Sequence, residues 1–205
     1  MSYSSLWVMD KNFNGEELKE YRNSWLFTIV ICDVLCKKYM PMPDGEPNNF
    51  LTRDMFDKSF SSKINNKINN CTEQVDRIAW EMSMQQIFFT KDKDFVAGCV
   101  KKFLKLNVNY LDNMGSQPVI NRFNKIADDI LSLDEEKHPY FIFKNTSVDD
   151  NVEFWFKKYN EETGEAEAVP LIEMDGQIAE FVYIENNKII GWDDNLKFFD
   201  KKQII

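Results

Sequence analysis

His138 is the only histidine in the chain, so any imidazole chemistry must pass through it. A thiol nucleophile needs such a base. Cys71 is the cysteine best placed for the role, because it stands beside an expected helix start, where the dipole lowers a thiol pKa. Nothing in the spacing brings Cys71 and His138 together, and no local glycines expose the thiol. His138-Pro139 reads more simply as the opening of a strand. Cys32 and Cys36 are one helical turn apart within an apolar stripe, which marks them as core thiols. A zinc site would require them to converge with Cys71, Cys99 or His138.

Carboxylates are the other candidate chemistry. They cluster at Asp128-Asp129, Asp134-Glu135-Glu136, Asp149-Asp150 and Asp193-Asp194. Glu135-Glu136-Lys137 supplies the acid-x-Lys step of metal-dependent nucleases, but at a helix end rather than on a strand, so solvated charge is the better reading. Asp149-Asp150 and Asp193-Asp194 flank expected strands and could meet a hard cation, without the ligand spacing of an EF-hand. The chain has neither a GxGxxG nor a GxxxxGK[ST] phosphate loop, and no HExxH. No catalytic residue, metal or cofactor is therefore assigned. Two tryptophans stand among charges: Trp155 between Glu153 and Lys157, and Trp192 beside Asp193-Asp194. Aromatics ringed by charge are common at protein interfaces, and equally in small domains that cap their cores with Trp. Glu153, Trp155, Trp192, Asp193 and Asp194 are the candidate binding residues.

Charge is uneven along the chain. Residues 1–127 carry 15 acids against 17 Lys and Arg, a charge of +2, and residues 128–205 carry 19 acids against 8 Lys, a charge of −11, so the second part holds the whole acidic surplus behind the net −9. Phosphates are bound by Lys and Arg, so direct nucleic-acid binding is not expected at the acidic end. A basic protein surface, such as that of a nucleic-acid-binding protein, is the natural partner.

The elements that must position these residues read as follows. Ser4–Val8 suits a short strand. Asn14 with Glu17 three residues later forms a capping box, and Leu18, Tyr21, Trp25, Ile29, Cys32 and Cys36 keep helical spacing. That predicts a helix from Asn14 toward Lys38, although Thr28–Ile31 is β-branched enough for a strand. Further helices are expected from Thr52 to Asn69, from Thr72 past Met82, from Thr90 or Asp92 past Phe103, and from Ser116 to Leu131, with a strand at Gln86–Thr90. From Pro139 the pattern changes to strands at Tyr140–Lys144, Val152–Tyr159, Val169–Met174, Gln177–Glu185 and Lys188–Trp192. Asp175-Gly176 and Asn186-Asn187 are two-residue hairpin turns. Along Gln177–Glu185 both faces are apolar. Either this chain packs on both sides of the strand, or a second copy or a target protein covers one.

The expected architecture is an α+β single compact domain over 1–205. A helical part, 10–134, packs on a sheet-rich acidic part, 139–200, built as an antiparallel meander of four or five strands. The chain is long enough to bury a core without disulfides. The longest apolar run, Trp25 to Leu35, is interrupted by Thr28 and Asp33 and falls short of a membrane span. The first residues lack the features of a signal peptide, and four cysteines without a CxxC pair suit a reducing compartment, so a cytoplasmic protein is expected. The Lys/Asn/Ile-rich, Arg-poor usage fits AT-rich bacterial or phage genomes. Small acidic proteins without catalytic motifs often act there as inhibitors, immunity proteins or anti-defence factors that block a basic partner, some by mimicking nucleic-acid charge. A protein-binding or inhibitory role is the leading expectation. The rivals are a small metal-dependent hydrolase using Asp/Glu and an assembly component that oligomerises through its sheet.

Overall fold

The computed structural model describes residues 3–42, 58–111, 115–145, 158–167 and 179–203. Strand β1 (Tyr3–Met9) turns back at once into β2 (Gly15–Arg22). The Asn14–Glu17 capping box and the helix it predicts over these residues are not formed. Asp10 explains why. Its carboxylate accepts from the backbone N–H groups of Asn12 (2.7 Å) and Asn14 (3.0 Å) and from the Asn14 side chain (2.7 Å). This local bonding closes a turn with Phe13 at φ 61° and removes Asn14 from cap duty.

The misleading periodicity has a second cause, a β-bulge. Leu6 faces Lys19 and Trp7 faces Glu17, so Leu18 is the extra residue. A bulge shifts strand parity. Leu18 and Tyr21, three apart, consequently both pack on the same core and imitate helical spacing.

The helix that follows is α1 (Thr28–Tyr39), entered through Asn23, whose Oδ1 accepts from the Trp25 backbone N–H at 3.2 Å. The β-branched run is helical because α1 is buried on nearly every side, from Val30 through Lys37, and so shows no polar face to mark its period. Asp33 and Lys37, one turn apart within it, form a buried ion pair at 2.6 Å. Then come α2 (Lys58–Asn69), α3 (Gln74–Ser83), β3 (Ile87–Phe89), α4 (Lys93–Leu106) and α5 (Gln117–Leu131). Strands β4 (Tyr140–Lys144), β5 (Lys158–Asn160), β6 (Glu165–Glu167), β7 (Glu180–Glu185) and β8 (Lys188–Asp194) follow. A helix the sequence reading did not anticipate, α6 (Asn195–Gln203), comes last. The expected strand Val169–Met174, the Asp175-Gly176 turn and most of Val152–Tyr159 lie outside the described residues.

The fold is α+β, with six helices among the described residues, but the sheet is mixed rather than an antiparallel meander. Its six strands run β2-β1-β4-β3-β7-β8. β4 inserts antiparallel between β1 and β3, and β3 lies parallel to β7. Of the expected hairpins, β7–β8 is present, with Asn186 and Asn187 at φ 49° and 60° as a two-residue turn demands. Five of the six described helices lie in the first two-thirds of the chain, as expected, but the strands are not confined to 139–200. Half of the main sheet (β1, β2 and β3) comes from the first two-thirds of the chain.

Side chains alternate across the sheet with period two. Leu6, Val8, Phe88, Phe141, Phe143, Val182 and Ile184 join the larger core under α1–α5. Met9, Ile87, Tyr140, Ile142 and Phe181 join a second core on the opposite face, with Phe13 and Phe198. The apolar second face of β7 is thus covered by the chain's own α6. Phe198 stacks on Phe181 with centroids 3.8 Å apart and planes within 7°.

Candidate functional site

The end of β8 gathers charged and aromatic side chains, and three of the residues expected to bind lie there. Trp192 is half-buried and packs against the larger core. The Arg77 guanidinium of α3 stands 5.3 Å from its ring centroid, a cation–π pair. Arg77 also donates to the backbone carbonyl of Ile189 (3.3 Å), while Gln74 accepts the Ile189 N–H (2.8 Å). One turn along α3, Glu81 is 3% exposed. Burial pushes its carboxyl up from 4.5 to about 8, and nearby Glu180 adds to the rise; the hydrogen bond from Trp192 and the charge of Arg77 oppose it. Glu180 is itself raised, by burial first and by Asp194 second, with Lys197 opposing.

Asp194 caps α6. Its carboxylate accepts the Lys197 backbone N–H at 2.8 Å and pairs with the Lys197 ammonium at 3.1 Å. The backbone bond is the main reason its carboxyl lies below the usual range. Asp193 pairs with Lys201 of α6 and hydrogen-bonds Tyr183, whose phenol is raised by burial and by that carboxylate. Both aspartates are buried and hold α6 against the sheet. Glu153 and Trp155 lie outside the described residues, so the structure brings together Trp192, Asp193 and Asp194 alone of the five. Sequence reasoning missed Arg77, Glu81 and Glu180. The i,i+4 spacing of Arg77 and Glu81 resembles an ordinary surface pair, and only burial sets it apart.

The remaining candidates resolve into local roles. Cys71 lies beside Tyr39 and its thiol donates to the Glu73 carbonyl (3.6 Å), whereas His138 faces Glu16 at 3.5 Å, so the two do not pair with each other. Cys32 and Cys99 are buried thiols pushed up to about 12 by that burial. Asp128 pairs with Lys101, Asp129 accepts from the Tyr21 hydroxyl (2.8 Å), and Asp134 accepts from the backbone of Glu136 and Lys137. Among the described residues no group of three or more His, Cys, Asp or Glu side chains converges as a metal site. No described helix is long and apolar enough to cross a membrane. A polar recess of about 550 Å³ lies among Asp10, Asn14, Glu16, Glu136, Lys137 and His138.

The site and its frame define the chain only as an α+β protein with a mixed six-stranded sheet. Comparison with protein-family models, with curated proteins and with solved structures found no match.

Proposed function

We propose that the protein works by binding another protein, docking an acidic face on a basic partner and blocking it, with carboxylates standing where that partner would meet phosphates. The observation that carries this reading is the β5–β6 hairpin. It pairs in a two-stranded sheet of its own, apart from the six-stranded sheet, and its turn and the start of β6 present Glu161, Glu162 and Glu165, all exposed. Gly164, at φ 74°, makes that tight turn possible. Exposed like charges on a short ribbon do nothing for the core, and they lie in the part of the chain, 128–205, with the acidic surplus.

In this reading Glu153 and Trp155, just before β5, belong to the contact. Trp192, Asp193 and Asp194 fix β8 and α6 within the fold. The test is cross-linking in cell lysate, comparing the native chain with a Glu161→Lys/Glu162→Lys/Glu165→Lys variant at low and high salt. The expected result is a partner cross-linked through Lys- and Arg-rich segments, captured faster at low salt and lost with the variant, because screening at 0.15 M cuts electrostatic reach to about 8 Å. Capture indifferent to both salt and charge reversal would overturn the proposal.

A further inference from the structure

A cleft of about 460 Å³ opens where α4, the single helical turn Val108–Tyr110 and the first turns of α5 meet. Leu104, Leu111 and Phe123 are buried beneath it. Val108 and Ile120 line it while 63% and 37% exposed, so part of its apolar lining is left facing water. Two lysines share the lining. Lys101 is matched by Asp128, 2.6 Å away. Lys105 enters no ion pair among the described residues.

The spacing explains how charge and apolar surface come together. Lys101, Leu104, Lys105 and Val108 fall at i, i+3, i+4 and i+7, which places them along one side of α4 and its continuation. The volume lies within the range of small-molecule sites, about 300–1,000 Å³, whose usual form is an apolar chamber with a few polar groups fixing orientation. A concavity of this size, apolar with a lysine at its rim, suits a small molecule with one charged end.

We propose that this cleft binds a single-chain amphiphile with an anionic head, in chemical class a fatty carboxylate. The hydrocarbon lies over Leu104, Val108, Ile120 and Phe123, removing their apolar surface from water, and the carboxylate meets the Lys105 ammonium. The site uses none of the residues of the proposed protein contact, so either can fail without the other.

The test is an amide-resolved NMR titration of the full chain with decanoate below its micellar concentration, run beside methyl decanoate. Saturable shifts are expected at residues 101–111 and 115–124. Lys105→Glu should weaken decanoate about tenfold, the scale of one lost charged hydrogen bond, and leave the ester unaffected. Val108→Glu, at an exposed position where the fold survives as judged by its amide spectrum, should abolish binding of both. Equal affinity for acid and ester, saturable shifts elsewhere only, or binding untouched by Val108→Glu would each overturn the proposal.

Discussion

Glu81→Gln should make the protein more stable in alkaline solution while changing almost nothing in acid. The glutamate is buried, and its carboxyl in the folded chain is raised from 4.5 to about 8. Between those values the unfolded chain has released a proton that the folded chain keeps. The folded state therefore loses stability as pH rises, at about 1.4 kcal/mol per pH unit. Below pH 4.5 both states hold the proton, and above pH 8 neither does, so the loss is confined to this window. Across it the total reaches about 5 kcal/mol, a large part of the stability of an ordinary domain. Glutamine keeps an oxygen to accept from the Trp192 indole and never ionises. Urea unfolding of both proteins from pH 4 to pH 9 reads the effect, because titrating groups that do not interact with Glu81 are common to both and cancel in the difference, leaving Glu81 and its coupling to Glu180. The difference should open between pH 5 and pH 8 in favour of the glutamine form, then level off. Two curves that stay parallel through this window would refute the argument, showing that Glu81 ionises in the fold as readily as in water.

Removing the α6 cap with Asp194→Ala should cost about 1–2 kcal/mol in urea unfolding, whereas Asp194→Asn, which still accepts the Lys197 N–H, should cost less. Because strands from both halves of the chain interleave in one sheet, thermal unfolding should be a single transition by both far- and near-ultraviolet circular dichroism. Limited proteolysis near 134–138 should yield no pair of independently melting fragments.

Much of the helical layer was legible because its elements are amphipathic. α5 shows an apolar stripe through Val119, Phe123, Ile126 and Ile130, and all four are buried. The β-rich elements were legible where turn chemistry was local, as at Asn186-Asn187. The failures have physical causes. The β1–β2 hairpin was hidden by a bulge that gives a strand the three-residue spacing of a helix, and by an Asx turn that competes with helix capping. The sheet order was illegible because β3 is only three residues long and finds its neighbours through non-local pairing, Ile87 with Ile142 on one side and Phe181 on the other. α6 was missed because its pattern is weak and its place is fixed by a tertiary contact, Phe198 on Phe181. Of the candidate site, the charges and Trp192 stood out in the sequence. The carboxyl that burial perturbs most strongly there, Glu81, did not, since its environment is assembled from α3, β7 and β8 together.

The position of β3 also sets a timetable for synthesis on the ribosome. Ile87 and Phe88 emerge early, yet the strand that flanks them on one side is made more than fifty residues later and the other more than ninety later. Until β7 follows, the middle of the sheet has an open edge, and until α6 follows, the aromatic face of Phe13, Tyr140 and Phe181 has no lid. Such distant pairings make for slow closure. A nascent chain stalled before residue 180 would expose a sticky, Phe-rich, unfinished sheet of four strands of the kind chaperones recognise, and its final descent to the native state would wait on β7 and β8.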